Sequence, residues 1–366
     1  MNSPEKYLAS NLQSHHPYKP GIQPKFSAQV LKLNTNENPY PPSESVSGAI
    51  LEEVQNLRLY PNPASEDLRR CIADLYGFSE QQVIIGNGSD DILNLCMRSF
   101  SDQKLKAGML DPSYSLYEVL SSIQGSEIER IVFKSDDFEL PVAPIIECGA
   151  NIFFLTNPHA PSGREYARED IETILENFNG IVVIDEAYVD FARQNSLALL
   201  GKFENLIISR TLSKSYSLAG LRVGYALSSA GIISILDQAR EVYNVDRLAQ
   251  AGAIAAIKDQ EYFTFTKSEI LKQRDLLLAN FNEWGWKTIP SGANFLFTQP
   301  LNRDFQSDPK VARDLYEFLS KNEILVRYFP LNSLTSSYLR ISIGKPTEMS
   351  ILVERVKQWQ VQEKQK

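Results

Sequence analysis

This sequence is short of several things, and each shortage closes a route. Its 366 residues hold three cysteines, Cys71, Cys96 and Cys148, with no C-x-x-C pair among them. So sparse and odd a set builds no disulfide framework and reads as reduced thiols of a cytosolic protein. The three histidines, His15, His16 and His159, share no helical or hairpin spacing, so no metal site is expected. No apolar run approaches the roughly 20 residues that cross a bilayer. The start, Met1-Asn2-Ser3-Pro4-Glu5-Lys6, lacks a basic stretch leading into an apolar one, so no signal peptide is expected. Positive charge is also scarce: 37 Lys and Arg against 45 Asp and Glu give a net charge of −8. That balance argues against a nucleic-acid surface, but not against a small phosphorylated ligand that needs only a few local donors. A soluble cytoplasmic protein remains.

What is present is an alternation. The first 45 residues, rich in Pro, Asn and Ser, read as an extended arm. Beyond them, short β-rich runs are expected at Gln82–Gly86, Ala107–Asp111, Ile128–Phe133, Asn151–Thr156, Gly180–Asp185, Leu206–Arg210 and Val223–Ser228. Several, such as Ile181-Val182-Val183-Ile184, are apolar throughout, as in strands covered on both faces. Helices fit between them at Ser89–Ser99, Ser113–Ile123, Arg168–Asn177 and Ala230–Tyr243. In the second, Leu116, Val119, Leu120 and Ile123 fall at helical spacing. This predicts an α/β fold with a large, mainly parallel sheet and binding residues at the strand ends. After about Asp246 a long helix (Tyr262–Trp284) leads into a βαββα-like tail, with elements at Asn294–Thr298, Pro309–Lys321, Leu325–Tyr328, Tyr338–Ile343 and Thr347–Gln358. The expected division is an arm (1–45), a large domain (46–250) and a smaller α/β domain (251–366).

Four segments at strand ends carry chemistry. In Ser209-Arg210-Thr211-Leu212-Ser213-Lys214-Ser215, a lysine sits among small hydroxyl residues, with Arg222 following. A Schiff-base lysine needs such surroundings, although a solvated surface lysine has the same local spacing. Asp185 closes the apolar run before Glu186-Ala187-Tyr188, a poor place for a carboxylate unless a cation such as a pyridinium nitrogen meets it. A metal-binding or helix-capping acid is the plainer alternative. Asn157 lies in Thr156-Asn157-Pro158-His159-Ala160-Pro161-Ser162-Gly163, by itself only a turn. Gly86-Asn87-Gly88-Ser89-Asp90 joins a strand to a helix start, where free N–H groups favour an anion. It is neither a dinucleotide fingerprint nor a G-K-[ST] loop, and Ser89 is equally a plain N-cap.

Together, in this order, these segments resemble the fold-type I pyridoxal-phosphate (PLP) dependent aminotransferases, most closely the histidinol-phosphate branch. The likeness extends through Asn36-Glu37-Asn38-Pro39-Tyr40, Tyr60-Pro61-Asn62-Pro63 and Pro112-Ser113-Tyr114 to Asp185-Glu186-Ala187-Tyr188-Val189-Asp190-Phe191 and Leu218-Ala219-Gly220-Leu221-Arg222-Val223-Gly224-Tyr225. The resemblance implies PLP as cofactor and Lys214 as the catalytic lysine that carries it and moves the substrate Cα proton. It implies that Asp185 pairs with the ring nitrogen, that Asn157 and Tyr188 hold the ring oxygen, and that Tyr114 stacks on the ring. Gly88, Ser89, Asp90, Ser213 and Arg222 would hold the phosphate or the backbone around it. Tyr60 would reach the phosphate of the other subunit in a homodimer with shared sites. Arg340 would grip the substrate's anionic end, with Arg327, Asn38 and Tyr18 as further contacts. The implied reaction converts L-histidinol phosphate and 2-oxoglutarate to imidazole acetol phosphate and L-glutamate. An aromatic or broad-specificity aminotransferase and a threonine-phosphate decarboxylase are the alternatives. His159 and Ser162 stand where the family often has Asn and Thr.

Overall fold

The computed structural model describes residues 4–13, 15–18, 20–24 and 30–363; the rest of the expected arm and tail lies outside the described residues. Its strands are β1 (Leu31–Lys32), β2 (Val83–Asn87), β3 (Ala107–Asp111), β4 (Ile128–Val132), β5 (Ile152–Thr156), β6 (Ile181–Asp185), β7 (Leu206–Thr211), β8 (Val223–Ser228), β9 (Lys287–Ile289), β10 (Phe295–Gln299), β11 (Ile324–Leu325), β12 (Arg327–Tyr328) and β13 (Leu339–Ser342). Seven of them form one sheet in the order β2-β8-β7-β6-β5-β3-β4. All neighbours are parallel except β8, which runs against both β2 and β7.

The apolar runs explain why this sheet is central. Alternate residues point to opposite faces of a strand. Val182 and Ile184 of β6 join one core cluster, together with Leu206 and Ile208 of β7. The residues between them, Val183 and Ile207, join the cluster on the other face. Both faces are therefore dry, and both need helices to cover them.

A second, antiparallel sheet has the order β12-β13-β10-β9. Leu296, Leu339 and Ile341 pack with residues of the helices Gln260–Glu283, Pro309–Lys321 and Pro346–Glu363. The arm is stitched to this layer: β1 pairs in parallel with β11, and Leu33 is buried in the same cluster.

The elements that differ from the sequence expectation include these three. The helix expected at Ser113–Ile123 spans Leu116–Gln124 and buries Tyr117, Leu120 and Ser121, while Ile123 is half exposed. The buried face is turned because the phenol of Tyr117 is drawn inward to a polar partner, Asp185. The helix expected to reach Tyr243 ends at Ala239, where Arg240 is extended and Arg98 takes the Ala239 carbonyl. The run expected as one strand at Leu325–Tyr328 breaks at Val326, and its halves serve different sheets.

Candidate active site

The carboxyl ends of β3, β5, β6 and β7 open onto one cleft, which encloses about 990 Å³ of empty space with its mouth included. One glycine brings the floor together. A Cβ on Gly224 of β8 would lie 2.2 Å from the backbone N of Ser89, so only glycine lets β8 approach the start of the Ser89–Phe100 helix so closely. That helix points its free N–H groups and positive dipole end toward the cleft floor. Beside it, the Arg222 guanidinium donates to Asp90 Oδ2 at 3.1 Å and to Ser213 Oγ at 3.3 Å. A Cβ on Gly88, whose φ is +82°, would meet Arg222 Nη2 at 2.5 Å. Gly88, Ser89, Asp90, Ser213 and Arg222, from three separate segments, are thus one cluster.

Asp185 ends β6 and is 2% exposed. Oδ2 accepts the Tyr117 hydroxyl at 2.7 Å and Oδ1 accepts the Ala187 N–H at 3.3 Å. Among the described residues it has no ion pair, and burial pushes its pKa up to about 6. Lys214 follows β7 by three residues. Its Nζ donates to the Thr35 carbonyl at 3.2 Å and lies 5.8 Å from the Tyr188 ring centre. The Tyr188 hydroxyl accepts Asn36 Nδ2 at 3.0 Å. Tyr114 donates to Asp90 Oδ1 at 3.1 Å and meets Tyr18 edge-on at 5.9 Å. Burial raises the pKa of both phenols, so they remain hydrogen-bond donors.

The opposite wall is basic. Arg340 of β13 donates from Nη2 to the Asn34 carbonyl at 3.2 Å, with its guanidinium carbon 5.2 Å from the Phe295 ring centre and 5.3 Å from that of Phe329. Its Nε is buried with no acceptor among the described residues, and burial lowers its proton affinity. Arg327 lines the same wall, 5.6 Å from the Phe329 ring centre.

The structure therefore gathers Ser89, Asp90, Tyr114, Asp185, Tyr188, Ser213, Lys214, Arg222, Tyr18, Arg327 and Arg340 along one cleft. Asn157 lies just behind it, with its N–H on the Asp185 carbonyl and its Oδ1 accepting the Tyr166 N–H. Asn38 does not line the cleft; it donates to the Ser215 carbonyl at 3.1 Å, beside Lys214. Tyr60 lies elsewhere, 78% exposed and stacked on Tyr243 at 4.6 Å. Sequence reasoning missed Thr35, Asn36, Ser113, Thr156, Tyr117 and Phe329. Asn36, Ser113 and Thr156 lie inside motifs that the sequence already offered, and Thr35 adjoins one; Tyr117 and Phe329 had no such signal.

The chain belongs to the aminotransferase class I and II family, whose sequence pattern matches residues 28–356. It is 42% identical over 342 residues to the histidinol-phosphate aminotransferase of Microcystis aeruginosa, covering 93% of this chain and 95% of that one. The corresponding protein of Geotalea uraniireducens is 42% identical over 352 residues, covering 96% and 99%. Among solved structures, the fold matches histidinol-phosphate aminotransferase from Sinorhizobium meliloti in complex with pyridoxal-5'-phosphate, with a TM-score of 0.83 at 24% identity over 96% of this chain and 98% of that one.

Proposed function

We propose that this chain is a PLP-dependent aminotransferase that passes the amino group of L-histidinol phosphate to 2-oxoglutarate, releasing imidazole acetol phosphate and L-glutamate. The observation that carries the proposal is one cleft holding a buried carboxylate, Asp185, and a half-buried guanidinium, Arg340, each without a counter-ion among the described residues. The relatives' names supply the donor.

The residues fit the cofactor. Asp185 is a buried carboxylate in want of a cation, which a protonated pyridine nitrogen provides. The Ser89 helix start, Ser213 and Arg222 offer N–H, hydroxyl and guanidinium donors suited to a phosphate. Tyr114 and Ala187 would face the ring, and Asn157 and Tyr188 its hydroxyl oxygen. Bound PLP supplies an electron sink that lets a Cα–H bond of the substrate break.

The chain's own residues do the rest. Lys214 Nζ, held by the Thr35 carbonyl, would take the proton from the substrate Cα and deliver it to the C4′ carbon of the cofactor. Arg340 and Arg327 hold the phosphate of one substrate and the distal carboxylate of the other, since a guanidinium fork suits both. Tyr18 and residues 34–36 border the arm side of the cleft.

The same proposal includes the division into arm, large domain and small domain, a cytoplasmic location and a homodimer. Leu51, Leu57, Tyr60 and Val242 are all more than half exposed, and Tyr243 is 42% exposed. A second copy covering them would place Tyr60 in an interface.

The test is product analysis. Purified protein supplied with PLP, L-histidinol phosphate and 2-oxoglutarate should yield glutamate and imidazole acetol phosphate. Faster turnover of phenylalanine or tyrosine would replace the donor, and carbon dioxide from threonine phosphate would replace the reaction.

A further inference from the structure

Behind the cleft wall lies a fully enclosed histidine, His159, whose ring joins two segments distant in the chain. Its Nε2 is 2.9 Å from the Pro112 carbonyl oxygen, and its Nδ1 is 2.7 Å from Ser162 Oγ. Two protonation patterns fit both contacts, the neutral Nε2–H ring and the imidazolium, since a hydroxyl both donates and accepts, and burial favours the neutral one. A carbonyl only accepts, so Nε2 bears a proton in both, and in the neutral ring Nδ1 accepts the Ser162 hydroxyl. Ser162 Oγ in turn accepts the Arg164 N–H at 3.2 Å. Phe133, Phe138 and Tyr166 wall the ring, with centres 5.0, 5.7 and 6.0 Å away. Burial in that cage pushes the imidazole pKa down to about 4, so the ring stays neutral near pH 7.

Both tethered segments are walls of the cleft. Pro112 precedes Ser113, Tyr114 and Ser115, and the loop closed by Ser162 carries Ala160 and Pro161. We infer that His159 is a positioning residue, a neutral imidazole pin that sets the spacing between the Ser113–Tyr114 wall and the Ala160–Pro161 wall, and with it the width of the slot between them. It touches no lining surface itself and acts only through the two segments. What fills the slot rests on the aminotransferase reading; the pin does not.

Substitution separates pinning from packing. His159→Phe keeps an aromatic ring in the cage and removes both ring hydrogen bonds, whereas His159→Asn restores a shorter polar group. Titrating cofactor-free protein with PLP, His159→Phe should raise the dissociation constant about three- to tenfold. It should also shift the absorbance maximum of the bound cofactor while keeping the wild-type circular dichroism, and His159→Asn should recover part of the affinity. A folded His159→Phe protein with wild-type affinity and spectrum would overturn the inference. If that variant does not fold, ¹⁵N NMR of wild-type imidazoles decides. A proton on Nε2 and no titration between about pH 5 and 8 supports the pin, while a proton on Nδ1, or titration near the ordinary value, overturns it. Wild-type protein that binds no PLP would instead sink the aminotransferase reading, with the NMR result still testing the pin.

Discussion

Asp185 and Glu186 are adjacent in the chain, equally buried, and solved in opposite ways. Glu186 is paired: Arg210 donates to its Oε2 from Nε at 2.9 Å and from Nη2 at 2.6 Å, and the Ser196 N–H serves its Oε1. Asp185 receives one phenol and one weak N–H contact, and no cation. A buried charge kept for the fold is normally paired, because an unpaired one costs several kcal/mol. The contrast separates an acid whose partner is in the chain from an acid whose partner comes from outside. The same contrast holds between Arg210, paired, and Arg340, without a carboxylate among the described residues.

The comparison can be broken from either wall. Lys214→Ala should have the largest effect, lowering turnover on the order of 10⁴-fold and abolishing borohydride-stable attachment of PLP, as read by mass spectrometry. Asp185→Asn should lower kcat/KM by roughly 10²- to 10³-fold, the scale of a lost buried charge pair, with glutamate as the assayed donor. Arg340→Gln should raise KM for both donors by about ten- to a hundredfold while PLP affinity stays near wild type.

A stability experiment sharpens the contrast between the two acids. In cofactor-free protein the Asp185 pKa of about 6 exceeds its ordinary value of 3.8. Between those pH values the folded chain binds the extra proton, so stability falls as pH rises and the loss is complete above about pH 6. It amounts to roughly 3 kcal/mol at 1.36 kcal/mol per unit. Cofactor-free Asp185→Asn should therefore melt above wild type at about pH 8 and converge with it below about pH 4. Glu186→Gln should destabilise at neutral pH, since it leaves the Arg210 charge unpaired. Tyr117→Phe should be the mildest change, lowering kcat/KM about threefold through the loss of one hydrogen bond to Asp185.

The two walls also differ in how far they could be read beforehand. The sheet wall was legible because each part is local: an apolar run buried on both faces ends at Asp185, another just before Ser213 and Lys214, and a glycine turn marks the Ser89 helix start. β3 and β8 run over the residues expected. The arm wall is long-range. Arg340 meets the carbonyl of Asn34 and Ser342 meets Asn36, each 306 residues apart, and no local pattern encodes such a meeting. The motif at Asn36–Tyr40 marked this stretch, but nothing local tied Thr35 and Asn36 to the cleft. Tyr117 was missed because helical spacing records apolar residues and not a phenol turned inward to a carboxylate. The helices Glu44–Val54 and Arg247–Lys258 escaped notice as well. They pack closely on each other at Gly252, where a Cβ would lie 3.3 Å from Ile50 Cδ1.

The most direct measurement mixes PLP-loaded protein with L-histidinol phosphate alone, no acceptor present, and follows the visible absorbance of the bound cofactor. Rapid loss of that absorbance, matched by glutamate and poorly by phenylalanine, is the predicted result. An unchanged spectrum with every amino donor would contradict the reading of Lys214, Asp185 and Arg340 as one transaminating site.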